Sequence, residues 1–249
     1  MNQKYLIIIV VLTIIIASVV AISLNNYADN DNTELETSQN DNPMEEYYVD
    51  EDMAWKHAVV FATEWVSDET TGLEEWDGAT VQKDPVTVYD IHGKKLFYEF
   101  AVTKDEKAIG EMEMAASKVL GNSLHRVITT PPLDREIATS KAMEAAEKEY
   151  PKYKILSTKP VCYSYPKEGV MVILEKPEDK EEKTVVIAIY TSTVVPLRES
   201  EMEGDLGAWS LYDKIPDEEV TKRVEQWNEV AERVDSYKMS ELSGVISKQ

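Results

Sequence analysis

Apolar and polar positions divide the 249-residue chain into three parts. Residues Leu6 to Leu24 form an apolar run of 19 residues that contains no charged residue, glycine or proline. Residues 25–52 are polar and acidic. From residue 53 onward, apolar residues recur either at helical spacing or at every second position, as in strands. The pattern therefore predicts an apolar helix, a spacer and an α+β folded region.

The apolar run has the length and the flanks of a transmembrane signal anchor. As an α-helix it would measure about 28 Å, the thickness of the hydrocarbon core of a bilayer. Lys4 precedes it and no Lys or Arg follows until Lys56, so the positive-inside rule places the amino end in the cytoplasm and the rest of the chain outside. A cleaved signal peptide, cut after Ala21 or Ser23, is the alternative. Because the run exceeds a typical signal core and contains both cleavage sites, we predict that residues 1–24 remain as an anchor in the cell membrane.

Residues 25–52 are predicted to be a disordered, self-repelling linker. They hold ten acidic residues and no basic residue, and they offer little apolar surface to bury. A calcium-binding loop that starts at Asp29 fails the pattern of such loops. Its sixth position is Glu34 where glycine is needed, and its twelfth is Asn40 where a bidentate glutamate is needed.

The rest of the chain is predicted to contain two similar α+β units, residues 53–132 and 133–200, and a closing segment, residues 201–249. Each unit begins with a helix, Met53–Val66 or Ile137–Tyr150, and continues as an antiparallel meander with one face in water. The closing segment contains a helix, Asp217–Tyr237, with Asp217 as its cap. The predicted strands are Val86–Asp90, Lys95–Thr103, Ala108–Ala115 and Leu124–Thr129 in the first unit, and Tyr153–Ser157, Val161–Tyr165, Val170–Glu175, Thr184–Tyr190 and Val194–Leu197 in the second.

Composition narrows the classes of function. The chain carries 47 acidic and 26 basic residues, a formal net charge of −21, so nucleic acid would be repelled. One cysteine excludes a disulfide framework and a zinc site built from thiolates, and three histidines make a poor basis for a histidine metal centre.

Cys162 is the strongest candidate for a catalytic nucleophile, but the sequence provides it with no evident base. A nucleophilic cysteine needs a nearby histidine and a group that orients the histidine. His57, His92 and His125 fall on a helix, in a turn and near a strand, and no local motif connects them to Cys162. We therefore interpret Cys162 as a small buried residue.

Two sets of acidic residues and the tryptophans are candidates for binding. Glu111 and Glu113 lie two apart on a predicted strand, so they share a face and could act as a carboxylate pair or bind a cation; a solvated face is the interpretation we adopt. The loop that contains Glu178, Asp179, Glu181 and Glu182 also contains lysines, and we read it as a soluble hairpin tip, with weak calcium binding as the alternative. The tryptophans are assigned to the core. The sequence thus predicts no catalytic, cofactor-binding or metal-binding residue. The tryptophans are Trp55, Trp65, Trp76, Trp209 and Trp227.

Several turn and core residues resemble known surface modules. The segments Trp76-Asp77-Gly78-Ala79, Tyr89-Asp90-Ile91-His92-Gly93-Lys94 and Tyr98-Glu99-Phe100 resemble a pattern of archaeal cell-surface proteins, whose modules stand alone or precede papain-like peptidase domains. They are more distantly similar to propeptide and inhibitor modules of streptopain-type cysteine peptidases. The second half, with Tyr163–Gly169 and Ile187–Tyr190, resembles the PepSY pattern of a helix followed by a meander.

The resemblance implies an inhibitor-like or binding module, since no peptidase domain follows in this sequence. We therefore expect a membrane-anchored, extracytoplasmic, non-catalytic binding module whose partner is a peptidase-like or envelope protein. An exposed strand edge such as Ala108–Ala115 could accept a strand of that partner. The alternatives are a structural component of the cell envelope and a hydrolase that depends on Cys162.

The signal anchor predicts that native membranes hold the intact 28.3 kDa chain and that an alkaline wash does not release it. A charge at the centre of the run, Ile14→Asp, should move the protein out of the membrane fraction, because it adds about 3 kcal/mol to the insertion free energy. Ile14→Leu is the matched control. Intact mass and fractionation measure both, and a shorter chain dissolved in the medium would contradict the prediction.

Overall fold

The computed structural model of the chain describes residues 45–196, 207–238 and 244–247. Within these residues the chain forms three α-helices and nine β-strands. The helices are α1 (Glu51–Val66), α2 (Arg135–Glu149) and α3 (Asp217–Asp235). The strands are β1 (Thr80–Val81), β2 (Val86–Tyr89), β3 (Lys95–Lys104), β4 (Lys107–Ala115), β5 (Leu124–Ile128), β6 (Lys154–Tyr163), β7 (Lys167–Glu175), β8 (Glu182–Ala188) and β9 (Val194–Val195).

Aspartate side chains cap the amino ends of two of the three described helices. Asp50 accepts a hydrogen bond of 2.7 Å from the third residue after it, and Asp134 accepts one of 3.0 Å in the same way. Each satisfies a backbone N–H that the first turn of a helix leaves free. The start of α3 differs from the prediction. Pro216 occupies the cap position, and Asp217 is the first helical residue. The negative charge of Asp217 interacts favourably with the helix dipole at this end.

All nine strands belong to one mixed sheet, in the order β5-β4-β3-β2-β6-β7-β8-β9, with β1 beside β3. The strand pairs are antiparallel except one, since β2 and β6 run parallel. That parallel pair has a single register position, Tyr89 opposite Val161. By contrast, β6 and β7 pair along nearly their whole length, from Lys154 opposite Glu175 to Tyr163 opposite Lys167. We call this short pairing between β2 and β6 the seam. It joins the first half of the sheet, β1–β5, to the second half, β6–β9.

The prediction of two separate antiparallel units is wrong. The fold is α+β, but the strands of both predicted units join in one mixed sheet. The local alternation of side chains shows that a segment is a strand, but it does not show which strand lies beside it. The parallel pairing of β2 with β6 is a long-range contact across α2 and was therefore missed.

Helices α1 and α2 cover separate parts of the sheet. Residues of α1, such as Ala58 and Ala62, pack on one face of β3 and β4, where Tyr98, Phe100 and Met112 are buried. The small residues of α2 pack on β7 and β8 in a second cluster. Burial of these side chains supplies most of the stabilisation of the fold. The second cluster contains Ala142, Ala146, Val170, Val172, Leu174, Val185 and Ile187.

The sheet curls so that β7 reaches β5. Arg126 on β5 donates a hydrogen bond of 2.6 Å to Glu168 on β7. In a flat sheet these strands would be five steps apart, or about 24 Å at about 4.8 Å per step. Two side chains cannot span that distance, so the curl brings β7 over the other face of β3, β4 and β5. The prediction that this face lies in water is therefore wrong.

The structure describes a segment near the carboxyl end of the chain but not the predicted anchor at the amino end. The described residues include no helix both long and apolar enough to cross a bilayer. The predicted anchor, Leu6–Leu24, and the linker up to residue 44 lie outside the described residues. Near the carboxyl end, Ile246 is fully buried, and its backbone N–H donates a hydrogen bond of 2.8 Å to Ala79. Residues 244–247 thus pack along the segment that leads into β1.

We predict that Gly110→Ala destabilises the fold. A Cβ at Gly110 would overlap the ring of Trp76 and lie 2.6 Å from the carbonyl oxygen of Ile128. Such overpacking costs about 1–3 kcal/mol in the free energy of unfolding. Denaturant unfolding measures this loss. Lys107→Ala, an exposed change on the same strand, is the control and should alter stability by less than about 0.5 kcal/mol; equal stability of the two variants would contradict the prediction.

Candidate functional site

Glu111 and Glu113 share a face of β4, as the sequence predicts, but this face is buried. Glu99 on β3 lies directly opposite Glu113 in the register. The exposed fractions of the residues are 2% for Glu99, 6% for Glu111 and 3% for Glu113. The solvated face predicted for Glu111 and Glu113 is therefore wrong, because β7 and the start of α2 cover it.

Two arginines and a fourth glutamate complete this group. Arg126 on β5 lies 2.8 Å from Glu113 and 2.6 Å from Glu168. Arg135, the first residue of α2, pairs with Glu99 and lies 3.0 Å from Glu168. We call these six residues the Glu–Arg cluster: Glu99, Glu111, Glu113, Glu168, Arg126 and Arg135.

The carboxyl groups of the Glu–Arg cluster have altered acidity. Burial raises the pKa of Glu99 to about 8 and that of Glu113 to about 7, and the arginines oppose this rise. Burial also raises the pKa of Glu111. Burial removes water from the charged form, which is why the neutral form is favoured. Since Glu99 and Glu113 are almost inaccessible, the cluster is suited to holding strands together and not to contacting a substrate.

An accessible groove lies at the edge of the sheet beside β5. β5 pairs with β4 on one side, and no described strand pairs with its other side. The groove has a volume of about 310 Å³ and lies between β5, α1 and α3. Phe61 and Trp65 of α1 form one wall and are only partly buried. We call this the β5 groove; its lining residues are Phe61, Trp65, Asn122, Ser123, Leu124, His125, Arg126, Val127, Val230 and Arg233.

The charged groups of the β5 groove are already paired. Arg233 lies 2.9 Å from Glu64, and its guanidinium group stacks 5.0 Å above the ring of Phe61. Arg126 is held by the Glu–Arg cluster. His125 is neutral at physiological pH, because burial lowers its pKa to about 4. The groove therefore offers apolar surface and a free strand edge, and not a charged pocket.

The described part of β6 has a second free edge, but that edge is protected. Lys154 to Lys159 pair only with β7, and a register shift occurs between Ile155 and Ser157. Pro160 follows and has no N–H to donate. Lysines, prolines and bulges are the usual features that prevent pairing at exposed edges. β5 contains neither lysine nor proline, so it is the better candidate for accepting a strand.

The predicted edge, Ala108–Ala115, is not the edge of the sheet. This segment belongs to β4, which pairs with β3 along its length and with β5 from Glu111 to Met114. Leu124–Thr129, which the sequence predicted only as an additional strand, contains the edge strand β5. The error arose because strand order cannot be derived from alternation alone.

Cys162 is buried, and each of the three histidines has other partners. Its exposed fraction is 3%, and burial raises the pKa of its thiol. His57 Nδ1 lies 2.6 Å from the hydroxyl of Ser123, and His92 Nε2 lies 3.0 Å from Asp213. The ring of His125 packs against Phe97 and Tyr165. Among the described residues, no hydrogen bond joins Cys162 to a histidine.

The remaining candidates for binding are the charged hairpin tip, a metal site and the tryptophans. The charged hairpin tip forms internal ion pairs, of 2.7 Å between Lys176 and Asp179 and of 2.8 Å between Lys180 and Glu175. Within the described residues, no group of three or more His, Cys, Asp and Glu side chains is arranged to hold a metal ion. Trp55, Trp76 and Trp227 are buried, as predicted, whereas Trp65 lines the β5 groove.

Comparison of the chain with protein-family models, with curated proteins and with solved structures gives no match.

Sequence reasoning missed Arg126, Arg135 and Glu168. One signal was present, since Arg126 lies on a strand whose neighbour carries Glu113. Arg135 follows a cap residue and Glu168 lies in a predicted turn, and both positions are usually exposed. Only the long-range curl of the sheet brings them to the buried face of β4.

We predict that Cys162 reacts with a disulfide reagent roughly a hundredfold or more slowly in the folded chain than in the unfolded chain, because the thiolate form is suppressed and covered. Absorbance of the released thiol at pH 8 measures the rate. A Lys107→Cys variant gives the reference rate of an exposed thiol. Equal rates for Cys162 in the folded and unfolded chain would show that the thiol is accessible.

Proposed function

We propose that this protein is a membrane-anchored, extracytoplasmic, non-catalytic binding module that binds an extended segment of a protein partner at β5. One observation carries the proposal: an edge strand that lacks lysine and proline lies beside an apolar groove with an aromatic wall. Strand addition uses backbone hydrogen bonds for affinity and side-chain pockets for selectivity. The β5 groove provides both.

The partner segment is expected to be extended and apolar at every second position. Side chains of a strand alternate between two faces, so one face of an added strand would meet Phe61, Trp65 and Val230. The other face would meet the side of the sheet that carries Arg126. Because Arg233 and Arg126 are already paired, the groove favours uncharged side chains.

A second copy of this chain is a poorer occupant than a different protein. Two β5 strands paired antiparallel about their middle residue would place Arg126 opposite Arg126, and like charges opposite one another destabilise a sheet. The net charge of −21 also opposes close approach of two copies.

The predicted anchor and acidic linker would hold the β5 groove outside the membrane. The linker repels anionic lipid headgroups, which would keep the folded region away from the bilayer surface. The partner is a peptidase-like protein, as the sequence resemblance implies, or another envelope protein. Hydrolysis by Cys162 has no support from the geometry, since its thiol is buried and His57 and His92 are engaged by Ser123 and Asp213.

The test uses the full chain in native membranes with a photoreactive amino acid at Asn122, an exposed position of the groove. The same label at Tyr190, which is 82% exposed on the turn between β8 and β9 and does not line the groove, is the control. We expect a protein adduct from Asn122 and not from Tyr190. Mass spectrometry of the adduct then identifies the crosslinked segment, which is synthesised as a peptide.

The peptide should protect the β5 amides from hydrogen exchange when it binds the full chain. Trp65→Ala should weaken its binding by about tenfold or more, since aromatic walls dominate such sites. Tyr190→Ala, a change of a similar exposed aromatic residue, should leave the affinity unchanged. Binding that protects another element, or that is equally strong in both variants, would refute the β5 site.

A further inference from the structure

The geometry points to a proton shared by Glu99 and Glu113, which closes the seam between the two halves of the sheet. This inference goes beyond the proposed binding function and does not depend on it. It concerns the described half-sheet β3–β5 on one side and β7 with α2 on the other.

The two carboxyl groups are placed to share a proton. Glu99 and Glu113 are opposite residues on adjacent antiparallel strands, and such residues have Cβ atoms about 5 Å apart. Their side chains are 0% and 3% exposed. In each, one oxygen is bound by an arginine, Arg135 for Glu99 and Arg126 for Glu113.

The other oxygen of each carboxyl group is buried without a hydrogen-bond donor among the described residues. These atoms are Oε1 of Glu99 and Oε1 of Glu113. The nearest recorded cation to Glu99 Oε1 is Arg126 at 3.9 Å, which is beyond hydrogen-bonding distance. A buried acceptor without a donor is costly, and a proton on one carboxyl group would supply the donor.

The charges of the Glu–Arg cluster also require a proton. Four carboxyl groups face two guanidinium groups, so the fully ionised cluster would carry two uncompensated negative charges in the interior. Two like charges that share a buried site do not both ionise readily. Glu168 contacts both arginines, whereas Glu99 and Glu113 each have one oxygen without a donor, which makes the opposed pair the place for the proton. The groups that face the pair are Arg126 on β5, Arg135 on α2, Glu111 on β4, Glu168 on β7, Cys162 on β6 and Tyr165 in the turn before β7.

Loss of the proton would loosen the seam. Direct strand pairing between the halves is limited to Tyr89 and Val161, and the Glu–Arg cluster adds ion pairs that join β3–β5 to β7, beside the hydrogen bonds that residues 207–212 make with both halves. Without the proton, Glu99 and Glu113 repel one another, and the contacts of Arg126 and Arg135 must compensate.

The sign of the pH effect follows from where the protons are bound. The pKa of Glu99 rises from 4.5 to about 8 and that of Glu113 from 4.5 to about 7 on folding. Between pH 4.5 and about pH 8, these two glutamates bind more protons in the folded chain than in the unfolded chain. Their contribution to stability is therefore greatest at low pH and falls as the pH rises. The pKa values of His57 and His125 fall from 6.5 to about 4, which has the opposite effect below pH 6.5.

The test therefore uses pH 7 to 8, where His57 and His125 are mostly neutral in both the folded and the unfolded chain and the Cys162 thiol is mostly protonated. Urea unfolding of the full chain in detergent micelles gives the unfolding equilibrium constant. For wild type we expect this constant to rise with pH, by up to about tenfold per pH unit for one proton. Glu99→Gln and Glu113→Gln should each abolish the rise, because either one removes a partner of the shared proton. Glu106→Gln, an exposed change in the β3–β4 turn, should show the wild-type rise.

A second measurement applies even if a variant fails to fold. Wild-type protein labelled with ¹³C at the glutamate carboxyl carbons should show a carboxyl signal that titrates between pH 6.5 and 8. Carboxyl signals that all titrate below about pH 5.5 would overturn the inference. So would folded variants in which each substitution removes only half of the rise, because two independent protons would then be present.

Discussion

The packing of β7 and α2 over the sheet depends on the pairing of buried carboxylates with arginines. Moving a charge out of water costs several kcal/mol unless a partner compensates for it. The face of β3 and β4 that carries Glu99 and Glu113 can be covered only if Arg126 and Arg135 are placed against it, and Glu168 connects the two arginines. The position of α2, whose first residue is Arg135, and the curl that brings β7 over β5 both satisfy this requirement.

Strand order determines where the described part of the molecule presents a free edge. Because β2 pairs with β6 and the sheet continues to β9, the first half has its free edge at β5. The helices α1 and α3 then leave a groove beside that edge instead of covering it. The second half has its edges blocked by lysines, a proline and the short strand β9. The accessible surface for strand addition is thus a consequence of strand order.

The sequence predicts the local elements well and their arrangement poorly. Met53–Val66 and Ala108–Ala115 agree with α1 and β4 to within two residues, because apolar spacing depends on neighbours along the chain. The two short strands predicted on either side of Pro160 are one strand, β6, since a proline need not end a strand at a sheet edge. The burial of Glu111 and Glu113 could not be predicted, because glutamates at every second position of a strand are typical of a solvent-exposed face. The arginines that reverse this interpretation are distant in the sequence.

The single register position between β2 and β6 has a mechanical consequence. A force that pulls the two halves apart loads one strand pair, the ion pairs and the hydrogen bonds of residues 207–212, whereas a force within either half loads long continuous ladders such as β6–β7. Short ladders rupture first under tension. A molecule stretched between a bound partner and a fixed point would therefore yield at this line, with each half still folded.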